Sequence, residues 1–408
     1  MKRYAKVLKN RNYLLLWLGQ SVSDVGSRIH SIALIWLVTT LTGSATAVGL
    51  LFMSMLVPRV LIFPFVGALV ERWPKKAVIV ATDVARGLLA LAFVYSTNMT
   101  MIYLLSAAMV AMELFFAPAI RTVIPRLVEE EDLLTANALS SLTNRSAGLI
   151  GPAIGGVLIG LWGVQAAFLI NAVSFLISAL SEMFITVPQM SHEQRRGESQ
   201  RELLTEMKAG WDYIRNRRPV RFVVFFFAMA GIPLGAIIVL KVVLLTEVLG
   251  FSAEQYGFLM SIEGIGLVLG SLLIGYLGTR FTEMTVMLAG VGVLGAGFLA
   301  LSQSSVFLAA GACLLVVGVA ASMANVAYGT FLQKNVADEF RSRVFSFDIA
   351  IGDAFALVAM GFAGMLGDKL GVTTVMALSG ALAAGLCLLA FAVPSQYQPE
   401  AEPQLMAD

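Results

Sequence analysis

The chain has 408 residues, of which 58% are hydrophobic and only 13% charged, with a formal net charge of +2. A soluble globular protein runs nearer half apolar and a quarter charged, so this composition excludes an ordinary soluble domain. Mean hydropathy is +0.83, and so small a net charge gives no footing for a nucleic-acid partner.

A bilayer crossing by a helix needs about 20 apolar residues. Apolar runs between charged or Gly/Pro-rich breaks give about twelve spans: 12–39, 46–70, 77–97, 101–122, 136–161, 165–187, 220–247, 254–277, 284–303, 306–331, 344–367 and 371–394. The first follows five basic residues and superficially resembles a secretory leader. It lacks a small-residue cleavage site and runs on to Val38, so it is expected to stay as a span.

Span two ends in Gly67-Ala68-Leu69-Val70-Glu71-Arg72-Trp73-Pro74-Lys75-Lys76. Gly67 permits close helix approach, and Glu71 can sit against the positive N-terminal end of a helix elsewhere. Asp83 and Arg86 on span three are spaced i and i+3 as a structural pair. Span four carries Glu113 at mid-length. Tyr103, Phe115, Phe116, Phe225 and Phe226, on spans four and seven, supply either an apolar ligand surface or ordinary packing.

Span five holds Gly148, Gly151, Pro152, Gly155 and Gly156. Their three-and-four spacing predicts one small-residue face packed on a helix of the other half, with Pro152 bending the span. Glu182, at the end of span six, is expected at the membrane interface. The charged stretch Pro188–Arg218 follows, with a helical pattern from Leu203 to Ile214, and reads as a linker with an amphipathic helix on the membrane surface. Lys241 falls in the last third of span seven, Glu263 midway along span eight, and Asp353 in the first half of span eleven. Cys313 and Cys387 lie in separate spans, where packing is the expected role. The tail after Pro394 is expected to be disordered.

Of the 28 Lys and Arg, 22 fall in segments on one side of this pattern and one, Lys369, on the other. By the positive-inside rule both termini and the central segment are cytoplasmic. The remaining five, Arg28, Arg59, Arg86, Arg145 and Lys241, lie inside spans.

The chain also repeats itself at an offset of 208. Gly67–Arg72 realigns with Gly275–Arg280, Thr122–Val128 and Glu131 with Thr330–Val336 and Glu339, and Gly163-Val164 with Gly371-Val372. Paired halves in a polytopic chain are the build of alternating-access transporters, with the substrate site between them. The expected division is 1–188 for the first six-helix bundle, 189–218 for the linker, 219–394 for the second bundle and 395–408 for the tail.

Gly67–Lys76 resembles the loop signature of the major facilitator superfamily: glycine, three residues, acid, arginine, basic pair. Glu71 stands where that family usually has Asp, and Pro74 where it often has Gly. A longer set is Phe115–Ala119, Ile124–Val128 and Leu133–Leu139, with Phe331-Leu332-Gln333, Arg341, Arg343 and Val344 in the second half and Leu18-Gly19-Gln20 in span one. These resemble the subgroup of macrolide-efflux proteins and enterobactin exporters. The span-five glycines resemble the antiporter signature of drug exporters in the same superfamily. The resemblance covers essentially the whole chain. It implies an all-α membrane protein of twelve helices in two six-helix bundles, working as a monomer in the bacterial cytoplasmic membrane and exporting small amphipathic molecules against protons. A proton gradient would be the energy source, with no cofactor.

Charges inside the bilayer are costly, roughly 2.5–3.5 kcal/mol each on insertion scales, so each needs a partner or a wet cavity. Asp24 and Arg28 share a face of span one at i and i+4, open to a permanent pair or a working site. Glu113 and Glu263 have no cation at i±3 or i±4 and suit a proton carrier, as does Asp353. Arg59 and Arg145 are candidates to neutralise these acids or meet an anionic substrate. No phosphate-cradling glycine loop precedes a Lys-Ser/Thr pair, the only histidines are His30 and His192, and no nucleophile–base set is visible, which argues against an ATPase, a His-rich metal site and an enzyme. Two rival readings stand: a carrier of a lipid-like or anionic metabolite, and a non-transporting receptor or scaffold, which would have no reason to keep unpaired intramembrane acids.

Overall fold

The computed structural model describes residues 2–187, 200–277 and 280–392, and all of its regular structure is helical. The expected tail 395–408 and the first part of the linker, with His192, lie outside the described residues. A short helix α1 (Lys2–Lys9) precedes α2 (Arg11–Thr42), α3 (Ala45–Arg72), α4 (Lys75–Val94), α5 (Met99–Leu127) and α6 (Leu133–Met183). After the linker come α7 (Gln200–Asn216), α8 (Arg218–Val243), α9 (Ala253–Leu277), α10 (Glu283–Ser302), α11 (Phe307–Asn335), α12 (Asp338–Leu370) and α13 (Val372–Ala392). Eleven of these are long and apolar enough to cross a bilayer, and α6 is two helices meeting at Gly163, which makes twelve spans among the described residues.

In hydrocarbon every backbone polar group must be satisfied within the chain, which is why helices run the full thickness and their ends are capped. Asn10 Oδ1 accepts from the amides of Asn12 and Tyr13 at 3.1 and 3.2 Å, starting α2. Its Nδ2 also donates to the Leu127 carbonyl at 2.5 Å, tying that start to the end of α5. Several helices outrun their apolar cores: α5 continues to Leu127, α11 to Asn335, and α12 starts at Asp338. Hydropathy registers only the hydrocarbon-spanning part, whereas the helices continue through basic residues on the side carrying both ends of each bundle. We call that side the basic face and the other the opposite face.

The repeat is visible in the backbone. Gly163 has φ +79° and Gly371 φ +90°, each at the tight turn between the fifth and sixth spans of its half. Residues with a Cβ rarely adopt this region, so the two glycines are required by the same turn used twice. Within the first half α2 and α4 pack on α6 and α3 on α5; within the second, α9 and α10 pack on α11 and α8 on α12 and α13. Small residues set these distances: Gly19 and Gly26 of α2 face Ser178 and Ser174 of α6.

The amphipathic linker helix differs from expectation. Toward its C-terminal end its apolar side meets protein rather than membrane: Trp211 packs on Phe347 of α12 and Phe225 of α8 at ring distances of 5.3 and 6.1 Å, and Ile214 is fully buried. The apolar residues described in the C-terminal half of α7 are therefore covered by docking onto the second half. At the other end of the chain, Lys6 of α1 reaches Glu129, Glu131 and Asp132 at 2.7, 2.7 and 2.8 Å. Hydrogen bonds to Asp132, then Glu129 and Glu131, hold its ammonium well above the ordinary lysine range. The acidic triad in the α5–α6 turn thus already has its cation.

Candidate functional site

The two halves meet along two seams. In one, α6 lies against α9: Gly156 faces the Ala253 carbonyl and Gly257, Gly257 faces the Pro152 carbonyl, and the Ala153 amide donates to Ser261 Oγ at 3.1 Å. In the other, α3 lies against α12, with Gly49 against the Met360 carbonyl and Gly364 against Ala45 and Thr46. Both seams lie in the half of the molecule toward the opposite face. No side chain would fit at these glycines without displacing backbone, so the opposite side is closed by direct helix contact.

A single acid latches this closure. Asp368, near the end of α12, accepts from the amides of Ala45 (2.7 Å) and Thr46 (3.0 Å) and from Ser44 Oγ (2.7 Å). It is a carboxylate from the second half placed on the N-terminus of a helix in the first, where unpaired amides and the helix dipole favour negative charge. Sequence reasoning assigned such a contact to Glu71 on the basic face. There Glu71 is exposed and forms no hydrogen bond or ion pair among the described residues. Across from it, the first turns of α12 are engaged in their own half, where Asp348 accepts from the Tyr328 hydroxyl and Phe227 stacks on Tyr328 at 4.0 Å.

The rest of the signature loop works locally. Lys75 Nζ donates to the Val70 carbonyl at 2.5 Å, and Lys76 Nζ to the Met183 carbonyl at 2.7 Å. The basic pair therefore closes the C-terminal ends of α3 and α6, where carbonyls lack helical partners. Arg72 is exposed, and Gly67 lies within α3.

The span-five glycines serve two neighbours rather than one. Gly151 and Gly155 pack on α2, against Arg28 and Ile29, while Gly156 packs on α9. Gly148 is close to both, with the Arg28 side chain and, from α9, Gly264 nearby. One-face packing fails because α6 is wedged between its own half and the other.

The intramembrane charges are arranged as follows. Asp24 and Arg28 make no direct ion pair; the Asn144 amide on α6 bridges them, donating to Asp24 Oδ2 and accepting from Arg28 Nη2, both at 3.4 Å. Both side chains reach toward α6 rather than along their own helix. Glu263 is not an isolated carboxylate, because Lys241 from α8 lies 2.6 Å from Oε2, with side-chain exposures of 14% and 20%. The partner comes from a neighbouring helix, which i±4 reasoning on one helix cannot see. Asp353 on α12 lies within electrostatic reach of exposed Arg59 on α3. Glu113 and Arg145 are exposed and form no ion pair among the described residues. Of these, Asp353 and Arg59 stand across the contact between the halves, whereas the Asp24–Asn144–Arg28 set lies within the first half and Lys241–Glu263 within the second.

One expectation inside the bundles is corrected, and one left open is decided for packing. Glu182 is fully buried rather than interfacial. Its helix end is covered by α2 and α4, with Lys76 spanning to the Met183 carbonyl. The aromatic residues pack: Phe115 against Trp73, Phe116 on Arg86, Phe225 against Trp211 and Phe226 beside Phe222, while the Tyr103 hydroxyl donates to the Ala47 carbonyl. The Asp83–Arg86 pair forms as its spacing predicts, buried, with the guanidinium between the Phe116 and Phe175 rings at 4.3 and 4.5 Å. An apolar cavity of about 600 Å³ runs between α2 and α6, lined by Leu18, Val22, Ile29, Leu169, Val173 and neighbours, with no charged residue in its wall.

Twelve spans in two internally repeated halves, meeting on one side and parting on the other around intramembrane charges, define a membrane transporter of the major facilitator fold. The family model described as "transmembrane secretion effector" matches residues 4–407, and the chain belongs to that major facilitator family. Among relatives, it is 24% identical over 389 residues to the uncharacterized MFS-type transporter YfiS of Bacillus subtilis, covering 91% of this chain and 90% of the other. It is 22% identical over 383 residues to macrolide efflux protein A of Streptococcus pyogenes, covering 91% and 93%. Of solved structures, a point mutant of the nucleoside transporter NupG superposes with TM-score 0.76 at 16% identity, covering 94% of this chain and 99% of the other. A bacterial homologue of the lysosomal transporter Spinster, inward-facing and unoccupied, gives 0.73 at 14% identity, covering 95% and 97%.

Proposed function

We propose that this protein is a proton-coupled exporter of amphipathic small molecules, working by alternating access with its basic face in the cytoplasm. The observation that carries the reading is the asymmetry of the halves: toward the opposite face they share one apolar core, sealed by glycine seams and the Asp368 latch, whereas toward the basic face each half has an apolar core of its own. Charges kept inside the spans have a use only if polar solutes reach them, because each is otherwise a net cost. Export rather than uptake is favoured by the relative named for macrolide efflux. Proton coupling is favoured by acids without a fixed cation, of which Glu113 is the plainest. The orientation follows from the basic asymmetry.

Accumulation of a radiolabelled macrolide and of ethidium, in cells with and without the protein, tests this. Lower accumulation that a protonophore abolishes is expected; equal accumulation with and without the protein for both probes overturns it. Cysteines introduced at Lys369 and Arg121 fix orientation, the former expected to label from outside intact cells and the latter only after permeabilisation. A lipid-like substrate is the second reading, favoured by the uncharged cavity between α2 and α6. Protein-dependent transfer of a fluorescent lipid across reconstituted vesicles, with neither drug probe exported, would establish it.

A further inference from the structure

The first half contains an acid the transport reading does not use. Glu182 has no exposed surface, and neither of its carboxyl oxygens has a hydrogen-bond partner among the described residues. One helical turn away along α6, the buried Ser178 hydroxyl lies beside Asp83 of α4. Asp83 in turn is fully buried and accepts from Arg86 with one oxygen, while its second oxygen has no partner among the described residues. Arg86 is held in place by the rings of Phe116 from α5 and Phe175 from α6. Asp83 and Arg86 both act electrostatically on Glu182.

The charges around this cluster do not balance. Two carboxyl groups and one guanidinium share a site that the bilayer and the bundle keep dry. The cation is committed to Asp83, leaving Glu182 without a counter-charge. Other groups facing the cluster do not supply one. From α2, Asp24 adds a further acid within electrostatic range, and Arg28 is turned to Asn144. His30, further along α2, is enclosed by Phe93 and Phe168. Glu113 of α5 is exposed, and Lys76 of α4 is spent on the Met183 carbonyl. A carboxylate buried with neither a counter-charge nor a hydrogen bond is far less stable than the neutral acid. A metal or sodium ion is a poor substitute beside an immobilised guanidinium, and a proton needs no added volume.

We propose that Glu182, with Asp83 and Arg86, is a proton-binding site inside the first bundle, its proton on Glu182 while the molecule is open toward the basic face. Glu182 is the penultimate residue of α6, so the site lies close to the basic surface, and exchange requires only a small parting of α2, α4 and α6. The part this proton plays in export rests on the proton-coupled reading above; its presence on Glu182 does not.

Infrared difference spectroscopy of the purified protein in lipid nanodiscs tests the charge balance directly. At neutral pH a protonated-carboxyl C=O band, shifting in D₂O, is expected in the wild type and lost in Glu182→Gln. Asp83→Asn is expected to lose it too, because Arg86 is then free to neutralise an ionised Glu182. Persistence of the whole band in Glu182→Gln, or in folded Asp83→Asn should the first variant not fold, overturns the site. A band changed by sodium at constant pH points to cation binding instead and also overturns it. Reconstituted vesicles separate the two readings: Glu182→Gln is expected to keep macrolide exchange without a gradient and lose pH-driven accumulation. If the wild type shows no pH-driven accumulation, proton-coupled export fails while the infrared result still decides the site. If Glu182→Gln keeps full pH-driven accumulation, the assignment of Glu182 to coupling fails.

Discussion

The latch at Asp368 gives the sharpest quantitative prediction. Replacing it with Asn keeps an acceptor oxygen but removes the negative charge from the N-terminus of α3, where three donors now converge on it. Charge–dipole contacts of this kind contribute about 0.3–1 kcal/mol when exposed and up to ~2 kcal/mol when partly buried. Asp368 is exposed at the surface of the seam, so solvent screening argues for about 1 kcal/mol. The contact exists only while the opposite face is closed. A conformational equilibrium near balance therefore shifts about fivefold toward the form open on that face. Spin labels at Thr97 and Ser305, exposed on the opposite face in the two halves, with Cys313 and Cys387 replaced, report the shift as a growth of the longer distance population. Lys369→Gln is the control, since its side chain forms no ion pair among the described residues. An Asp368→Asn distribution within twofold of wild type, or one that Lys369→Gln reproduces, refutes the reasoning.

Three further outcomes follow from the same geometry. Glu263→Gln leaves the Lys241 ammonium largely buried without its partner and should cost about 3 kcal/mol of stability, most of it recovered in Lys241→Met/Glu263→Leu; chemical unfolding in detergent that finds the double variant as unstable as the single one contradicts this. Gly156→Leu drives a side chain into the Ala253 carbonyl across the α6–α9 seam and should open the opposite face in the Thr97–Ser305 distances, whereas Gly155→Leu, pressing on α2 within one half, should cost about 1–3 kcal/mol of stability by overpacking and leave those distances unchanged. Glu71 makes no contact among the described residues in this conformation, so Glu71→Gln should raise the population open on the basic face if Glu71 latches the alternate state; an unchanged or lowered population, read from labels on the basic ends of α3 and α12, rules out that role.

The fold was legible because its determinants are one-dimensional. Apolar length gives the spans, basic loops give the sides, and the 208-residue offset gives the halves, down to the paired turns at Gly163 and Gly371. The Asp83–Arg86 pair was legible for the same reason, since both residues lie on one helix. What escaped depends on which helix faces which. Lys241 meets Glu263 from a different span, Asn144 stands between Asp24 and Arg28, and Glu182 is buried by helices remote in sequence. Asp368 left a faint trace: an acid at one helix end, and a Ser44-Ala45-Thr46 start at another whose side-chain cap is Ser44. Nothing local says that the two converge.

That convergence bears on how α3 works. Its N-terminal end is held by an acid of the second half, while its C-terminal end carries Glu71 with no partner among the described residues and its last turn closed by Lys75. If each end of this helix is latched in only one state, closing the opposite face costs the contact on the basic face and the reverse. Two exposed charge–dipole contacts of similar size then nearly cancel, each about 1 kcal/mol, leaving an equilibrium that a bound substrate or a single proton can tip. On this account Asp368→Asn and Glu71→Gln shift the populations in opposite directions, and the double variant returns them toward wild type. Two effects that add in the same direction would show that the ends of α3 are not alternately latched, and that the seams alone set the balance.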